Sequence, residues 1–196
     1  MNGRARSGFF FFAVIAVLIL GVILWGIGQY NRIVALDEAV DAQWAQVENQ
    51  LKRRFDLIPN LVETVKGYAG HEKELLENIA ASRTRYFQAS SRSEKVKEIG
   101  TFESALSRLL LLREAYPELK ANESFLKLQD SLEGTENRIA VERKRYNDKV
   151  RQLNTYIRTF FGRFVASFAG IKAADYYETP EAQQETPTVN FGTRER

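Results

Sequence analysis

The sequence has no cysteine, a single histidine (His71) and only four prolines in 196 residues. Without cysteine, disulfides and thiolate metal sites are excluded. One histidine is too few for a zinc site built from several histidines. The paired Glu-x-x-His motifs of di-iron bundles are also missing, because Tyr68 stands three positions before His71. We therefore predict no metal ion and no other cofactor.

An excess of charge of one sign is also missing. The 28 Lys and Arg residues nearly balance 25 Asp and Glu residues, for a net charge of +3, which does not indicate a nucleic-acid partner. The GxxxxGK, GxSxG and HExxH motifs do not occur, and most nucleophile–base pairs need cysteine or histidine. We predict no catalytic residues and identify no small-molecule substrate. A carboxylate-based enzyme at the membrane surface, or an accessory subunit of one, is the alternative.

A long uncharged run, Gly8 to Gly28, begins close to the N-terminus. At about 1.5 Å per residue it spans about 30 Å, the thickness of a bilayer core. Trp25 and Tyr30 fall where an interfacial aromatic belt is expected. A cleaved signal peptide is the competing interpretation, but its apolar core is shorter and ends at a small-x-small site. We predict a transmembrane anchor over residues 8–30, preceded by a short basic tail over residues 1–7.

The basic residues beside this run predict its orientation. Arg4 and Arg6 precede it, whereas only Arg32 follows closely, before acidic Asp37 and Glu38. The positive-inside rule then places the N-terminus in the cytoplasm and the body of the protein outside.

The rest of the chain has the apolar spacing of helices. From Ile33 to Val65 apolar residues recur every three or four positions, and Gly67 and Gly70 follow. Three more helices are predicted from His71 to about Ser90, from about Glu94 to Ala115, and after an Asn122 cap. Long, short, short and long helices with short connections predict an all-α fold, an antiparallel four-helix bundle over residues 31–160.

Pro59 interrupts the hydrogen bonding of the first bundle helix and predicts a kink there. Polar side chains surround this turn, and a second polar set lies on the last helix, where antiparallel packing brings the two together. We expect a structural polar network that fixes the helix register, in which Glu136→Ala strands a buried arginine at a cost of several kcal/mol. Its members are Arg53, Arg54, Asp56, Asn60, Glu136, Asn137, Arg143 and Asn147.

The chain becomes aromatic and basic over residues 156–172. Because the first helix leaves the membrane, an antiparallel last helix returns to it, so this segment is expected to contact the bilayer or a partner. Capping of the bundle end is the alternative, and Arg158, Arg163 and Lys172 could also recognise anionic lipid. The tail over residues 176–196 has little to bury and is predicted to be flexible. The candidate contact residues are Phe160, Phe161, Phe164, Phe168, Arg158 and Arg163.

Three motifs resemble the LemA family of bacterial membrane proteins. They are DEAVDAQWAQVENQLKRRFDLIPNLVETVKGYAGHEKE (residues 37–74), AYPELKANESFLKLQDSLEGTENRIAVERKRYNDKV (residues 115–150) and NTYIRTF (residues 154–160). After Phe160 the chain departs from the family pattern, because Phe161 stands where a proline is usual. The resemblance implies a single anchor and a four-helix bundle in the bacterial inner membrane, and it does not imply an enzyme.

These observations predict a non-enzymatic scaffold or interaction module of the cell envelope, with its bundle on the periplasmic side. The expected partners are the lipid bilayer and either a second copy of the chain or other membrane proteins. Gly21, Gly26 and Gly28 would let transmembrane helices approach closely.

Overall fold

The computed structural model of the chain describes residues 3–178, with side chains from residue 11 onward. All regular elements in this range are α-helices, so the all-α prediction is confirmed. The helices are α1 (Gly3–Lys66), α2 (Lys73–Gln88), α3 (Arg92–Ala115), α4 (Pro117–Lys120), α5 (Glu123–Arg158) and α6 (Phe160–Ala169).

Helix α1 is continuous from the basic tail through the apolar run and the first apolar stripe. Pro59, which has no amide hydrogen, lies inside this helix and is exposed. The helix continues beyond it to Lys66. In the described range, α1 is the one helix long and apolar enough to cross a membrane. Its apolar side chains from Phe11 to Ile27 are largely exposed, which fits a single-pass membrane protein.

The described residues divide into two compact units. The first unit comprises residues 3–47 and 144–174, and the second comprises residues 48–143 and 175–178. Helices α1 and α5 contribute residues to both units.

In the first unit, α1 packs antiparallel to α5. The Trp44 ring meets the Tyr146 ring edge-on at 5.2 Å, and the Tyr156 hydroxyl donates to the Gln29 carbonyl at 3.1 Å. Residues later in α1 therefore lie beside residues earlier in α5. The buried residues recur every three or four positions, as a helical stripe requires: Ile33, Val40, Trp44, Val47, Tyr146, Val150, Leu153 and Tyr156.

The second unit has an aromatic centre. Phe55 of α1 lies 4.9 Å from Tyr86 of α2 and 4.8 Å from Phe102 of α3, measured between ring centroids. At the start of α5, the Asn122 Oδ1 accepts from the Phe125 amide at 2.9 Å. This is the predicted N-cap, and it satisfies an amide that has no partner within the helix.

Helix α3 begins at Arg92, two residues before the predicted start. Ser91 accepts from the Glu94 amide at 3.2 Å, and the Glu94 carboxylate accepts from the Ser91 amide in return. Because of this capping box, α3 starts at Arg92, earlier in the chain than predicted. The hydrogen bonds from Ser90 and Ser91 lower the pKa of Glu94.

The chain after α6 has no regular structure from Ile171 to Glu178. In the first unit, Asn154 holds it at Ala174 by two hydrogen bonds of 2.9 Å. The Asn154 Nδ2 donates to the Ala174 carbonyl, and the Asn154 Oδ1 accepts from the Ala174 amide. In the second unit, Tyr177 is 3% exposed, which departs from the expectation of a tail with little to bury. The remainder of the predicted tail, residues 179–196, lies outside the described residues.

Candidate functional site

Helix α6 is set off from α5 by a turn at Thr159. The Thr159 hydroxyl donates to the Tyr156 carbonyl at 2.8 Å and accepts from the Gly162 amide at 3.1 Å. Thr159 is thus the N-cap of α6, and Gly170, with φ of +70°, ends the helix in a left-handed conformation that favours glycine. The predicted segment over residues 156–172 therefore contains the last turn of α5, a cap and a separate short helix.

Gly162 allows the close approach at this turn. A Cβ atom added there would collide with the Tyr156 carbonyl oxygen and with the Thr159 side chain. The carbonyl belongs to the backbone and cannot rotate away, so only glycine fits. We did not identify Gly162 from the sequence, although a glycine three residues after a capping threonine is an available indication.

Helix α6 contacts α1 at the end of the apolar run. Phe161 meets Trp25 edge-on at 4.9 Å, and Phe168 meets Tyr30 at 6.2 Å, between ring centroids. Gly162 and Ala166 form the buried side of α6. The opposite side carries exposed phenylalanines, here called the α6 face: Phe160, Phe161, Phe164 and Phe168.

The α6 face is strongly apolar and strongly exposed. Its side chains are between 54% and 85% exposed, and Phe168 is the most exposed of them. Arg158 and Arg163 are exposed beside it. Such a contiguous patch is typical of a surface that contacts a membrane or another protein.

A buried ion cluster occupies the second unit. The Arg54 Nη1 donates to the Glu136 Oε2 and lies 3.5 Å from the Glu103 Oε1. The side chains of Arg54 and Glu103 are 9% and 8% exposed, whereas that of Glu136 is 40% exposed. One guanidinium from α1 therefore joins carboxylates from α3 and α5.

Tyr177 lies beside this cluster. The Arg143 guanidinium carbon is 5.6 Å from the centroid of the Tyr177 ring. Burial, followed by the negative charge of Glu103, raises the pKa of Tyr177, while Arg143 opposes the shift. Burial also raises the pKa of Tyr86, together with the charge of Glu48. Both phenols are therefore held in the neutral form.

The structure brings some members of the predicted polar network together and leaves others apart. Arg54 and Glu136 meet, and Arg143 reaches Tyr177. Four others are exposed, and Asn147 is half-buried. On α1 the reason is helical phase, because positions 53, 56 and 60 lie opposite the buried stripe that contains position 54. The exposed members are Arg53, Asp56, Asn60 and Asn137, and Asp56 pairs with Lys52 at 3.2 Å.

Glu103 of the cluster and the neighbouring Tyr177 were not predicted from the sequence. Glu103 directly follows Phe102 on α3, and a charged residue at the edge of an apolar stripe gives no indication of burial. Tyr177 stands in a polar stretch. Within residues 3–178, no three His, Cys, Asp or Glu side chains are grouped to hold a metal ion. The chemistry of the cluster is charge pairing between helices.

A sequence model of the LemA family matches residues 43–191, which is more than half of the chain. The chain belongs to the LemA family. The resemblance seen in the three motifs is thereby confirmed.

Relatives of this LemA-family chain include proteins described as magnetosome proteins. It is 26% identical to Magnetosome protein MamQ 2 of Paramagnetospirillum magneticum, over 82% of this chain and 68% of that protein. It is 24% identical to Magnetosome protein MamQ of Magnetospirillum gryphiswaldense, with the same coverage. Protein LemA of Metamycoplasma hominis is 22% identical, over 89% of this chain and 81% of that protein.

Proposed function

We propose that this LemA-family protein is a non-enzymatic scaffold of the bacterial cell envelope. It is anchored by one transmembrane helix and acts through protein contacts, including self-association. The observation that carries the proposal is the α6 face, four exposed phenylalanines on a short helix that contacts α1 at Trp25 and Tyr30.

The proposed organisation follows from the helix order. Residues 1–7 and 8–30 are the cytoplasmic tail and the membrane span of α1, with the span in the inner membrane. Residues 31–160 form a periplasmic four-helix bundle, in which α1, α2, α3 and α5 are the four helices. The segment over residues 156–172 lies at the bilayer surface, and residues 176–196 form the C-terminal tail. The antiparallel contacts of α1 with α5 support this arrangement.

The glycines of the span support self-association. A Cβ atom added at Gly21, Gly26 or Gly28 would meet no atom within 4 Å. Gly21 and Gly28 are seven residues apart and therefore lie on the same side of the helix. That side is open to a second copy of the same helix, as small residues in transmembrane interfaces allow.

The carboxylates of the ion cluster support the absence of catalysis. Glu103 and Glu136 both bind Arg54, so their charges are used in holding helices together. General acid–base chemistry needs a carboxylate within reach of a substrate proton.

The proposal is tested by extracting native membrane patches with an amphipathic polymer and imaging the particles. We expect assemblies of more than one chain for the wild type. The Phe164→Ser/Phe168→Ser variant should yield smaller particles, whereas Leu111→Ser, which removes a side chain 67% exposed on α3, should not change them. Single chains in the wild-type sample would overturn the scaffold proposal. C-terminal reporter fusions test the orientation.

A further inference from the structure

A cleft of about 590 Å³ lies in the first unit, beside the contact of α1 with α6. Its walls come from α1, from the last turns of α5 and from the first turn of α6. One part of the lining is aromatic and another part is cationic or amide. The residues that matter here are Trp25, Phe160, Phe161, Gln29, Arg32 and Arg151.

Arg32 is held in position by its neighbours. Its guanidinium carbon lies 5.2 Å from the centroid of the Tyr156 ring. Tyr156 is only 8% exposed, and its hydroxyl donates to the Gln29 carbonyl at 3.1 Å. Arg32 therefore rests on a fixed ring while its own side chain is exposed to the cleft. A cation on a fixed platform loses little conformational entropy when it binds an anion.

Arg151 supplies a second cation. Its Nη2 lies 2.7 Å from the Asp148 Oδ1, but the two side chains are 68% and 40% exposed. An exposed pair of this kind contributes little to stability, so an anion in the cleft can compete for the guanidinium.

The aromatic and the cationic parts of the cleft lining follow one another along α1. Trp25 lies at the end of the apolar run, and Arg32 follows seven residues later, about 10 Å further along the helix axis. A tryptophan at the membrane interface has one end in apolar surroundings and the other end in wet surroundings. A ligand that fills the cleft thus needs an apolar part beside Trp25 and an anionic part beside Arg32.

We propose that this cleft binds one anionic phospholipid. The phosphate lies between Arg32 and Arg151, and an acyl chain lies along Trp25 and Phe161. The inference rests on the proposed membrane anchoring, and it concerns a lipid site that differs from the exposed arginines Arg158 and Arg163. A free phosphate would use the cationic part alone and would leave the aromatic wall uncovered.

The test uses the full chain in neutral detergent and native mass spectrometry. Phosphatidylglycerol is compared with phosphatidylcholine of the same acyl chains and with glycerol phosphate. At about fivefold for each arginine near a membrane surface, we expect phosphatidylglycerol to bind about 25-fold more tightly than phosphatidylcholine. Glycerol phosphate should bind weakly. Equal affinity for the two lipids would overturn the proposal, and so would glycerol phosphate binding as tightly as phosphatidylglycerol.

Matched variants locate the site. Arg32→Gln/Arg151→Gln should abolish the preference, and Arg32→Lys/Arg151→Lys should restore part of it. Arg53→Gln/Arg108→Gln removes the same charge from exposed positions of the second unit and should leave the preference intact. Equal losses in both glutamine variants would show that net charge alone decides, and would overturn the site.

Carbonate extraction of the same variants separates this inference from the proposed function. If the chain stays in the membrane pellet but shows no lipid preference, only the lipid site fails. If the wild-type chain is released by carbonate, the anchoring proposal fails as well.

Discussion

Arg54 and Glu103 form an ion pair whose side chains are each more than nine-tenths buried, with 3.5 Å between Nη1 and Oε1. The same nitrogen binds Glu136, a carboxylate on a different helix. Removing one partner of a buried pair leaves an uncompensated charge, which costs more than the pair contributes. The consequences are testable because the Glu103 side chain is 8% exposed, whereas the Glu136 side chain is 40% exposed.

Arg54→Ala should lower the free energy of unfolding by about 3–5 kcal/mol, because the buried Glu103 carboxylate then loses its ion pair with the arginine. Chemical unfolding of the full chain in detergent measures the loss. Lys52→Ala removes a cation from the exposed pair with Asp56 and should cost less than about 1 kcal/mol. The double variant Arg54→Met/Glu103→Leu should recover most of the stability. Equal losses for Arg54→Ala and Lys52→Ala would contradict the buried-pair interpretation.

Glu136→Ala should cost only about 1 kcal/mol, because its side chain is 40% exposed and solvent screens its charge. Glu103 also remains to neutralise Arg54. This is smaller than the loss expected from the sequence, where Glu103 was not identified as a second partner. The same unfolding measurement checks it, and a loss as large as that of Arg54→Ala would show that Glu136 alone compensates the arginine.

Tyr177 should make stability depend on alkaline pH. Its pKa is raised by burial, so the folded chain retains this proton to higher pH than the unfolded chain, whose phenol titrates near pH 10. The contribution is complete below about pH 10 and is lost as the pH rises further. Tyr177→Phe should therefore flatten the decline of the unfolding free energy above about pH 10. Tyr176→Phe is the control, because Tyr176 is exposed, and an unchanged slope in Tyr177→Phe would refute the assignment.

Gly162→Ala should destabilise the turn between α5 and α6 by about 1–3 kcal/mol, the range for overpacked sites. Thermal unfolding and protease cleavage after Arg163 measure the effect. Gly134→Ala in α5 is the matched control, because an added Cβ there meets no atom within 4 Å. Removing a helical glycine should stabilise by about 0.5–1 kcal/mol, so the two substitutions should have opposite signs.

The apolar spacing was sufficient to predict α1, α2, α3 and α5, because buried positions such as those on α1 from Ile33 to Val65 repeat with the helical period. The short helix α4 and the separate helix α6 were not predicted. The boundaries depended on caps. Asn122 is recognisable as a cap in the sequence, whereas the capping box of Ser91 and Glu94 begins α3 two residues before the predicted start.

The ion cluster could be predicted only in part. Proximity of Arg54 and Glu136 follows from antiparallel packing, since both lie on long helices with a recognisable register. The burial of Glu103 depends on how α3 is rotated, and the position of Tyr177 depends on the path of an irregular segment. Neither property has a periodic pattern in the sequence.

The two hydrogen bonds between Asn154 and Ala174 end on main-chain atoms of Ala174. The carboxamide therefore recognises a backbone and not a side chain. Any residue with an amide hydrogen at position 174 can form these two bonds, and proline alone lacks it. At position 154, aspartate would lose the donor and alanine both bonds. These two bonds therefore restrict the residue type at position 154 and not the side chain at position 174. Position 174 can change while the asparagine at position 154 stays the same.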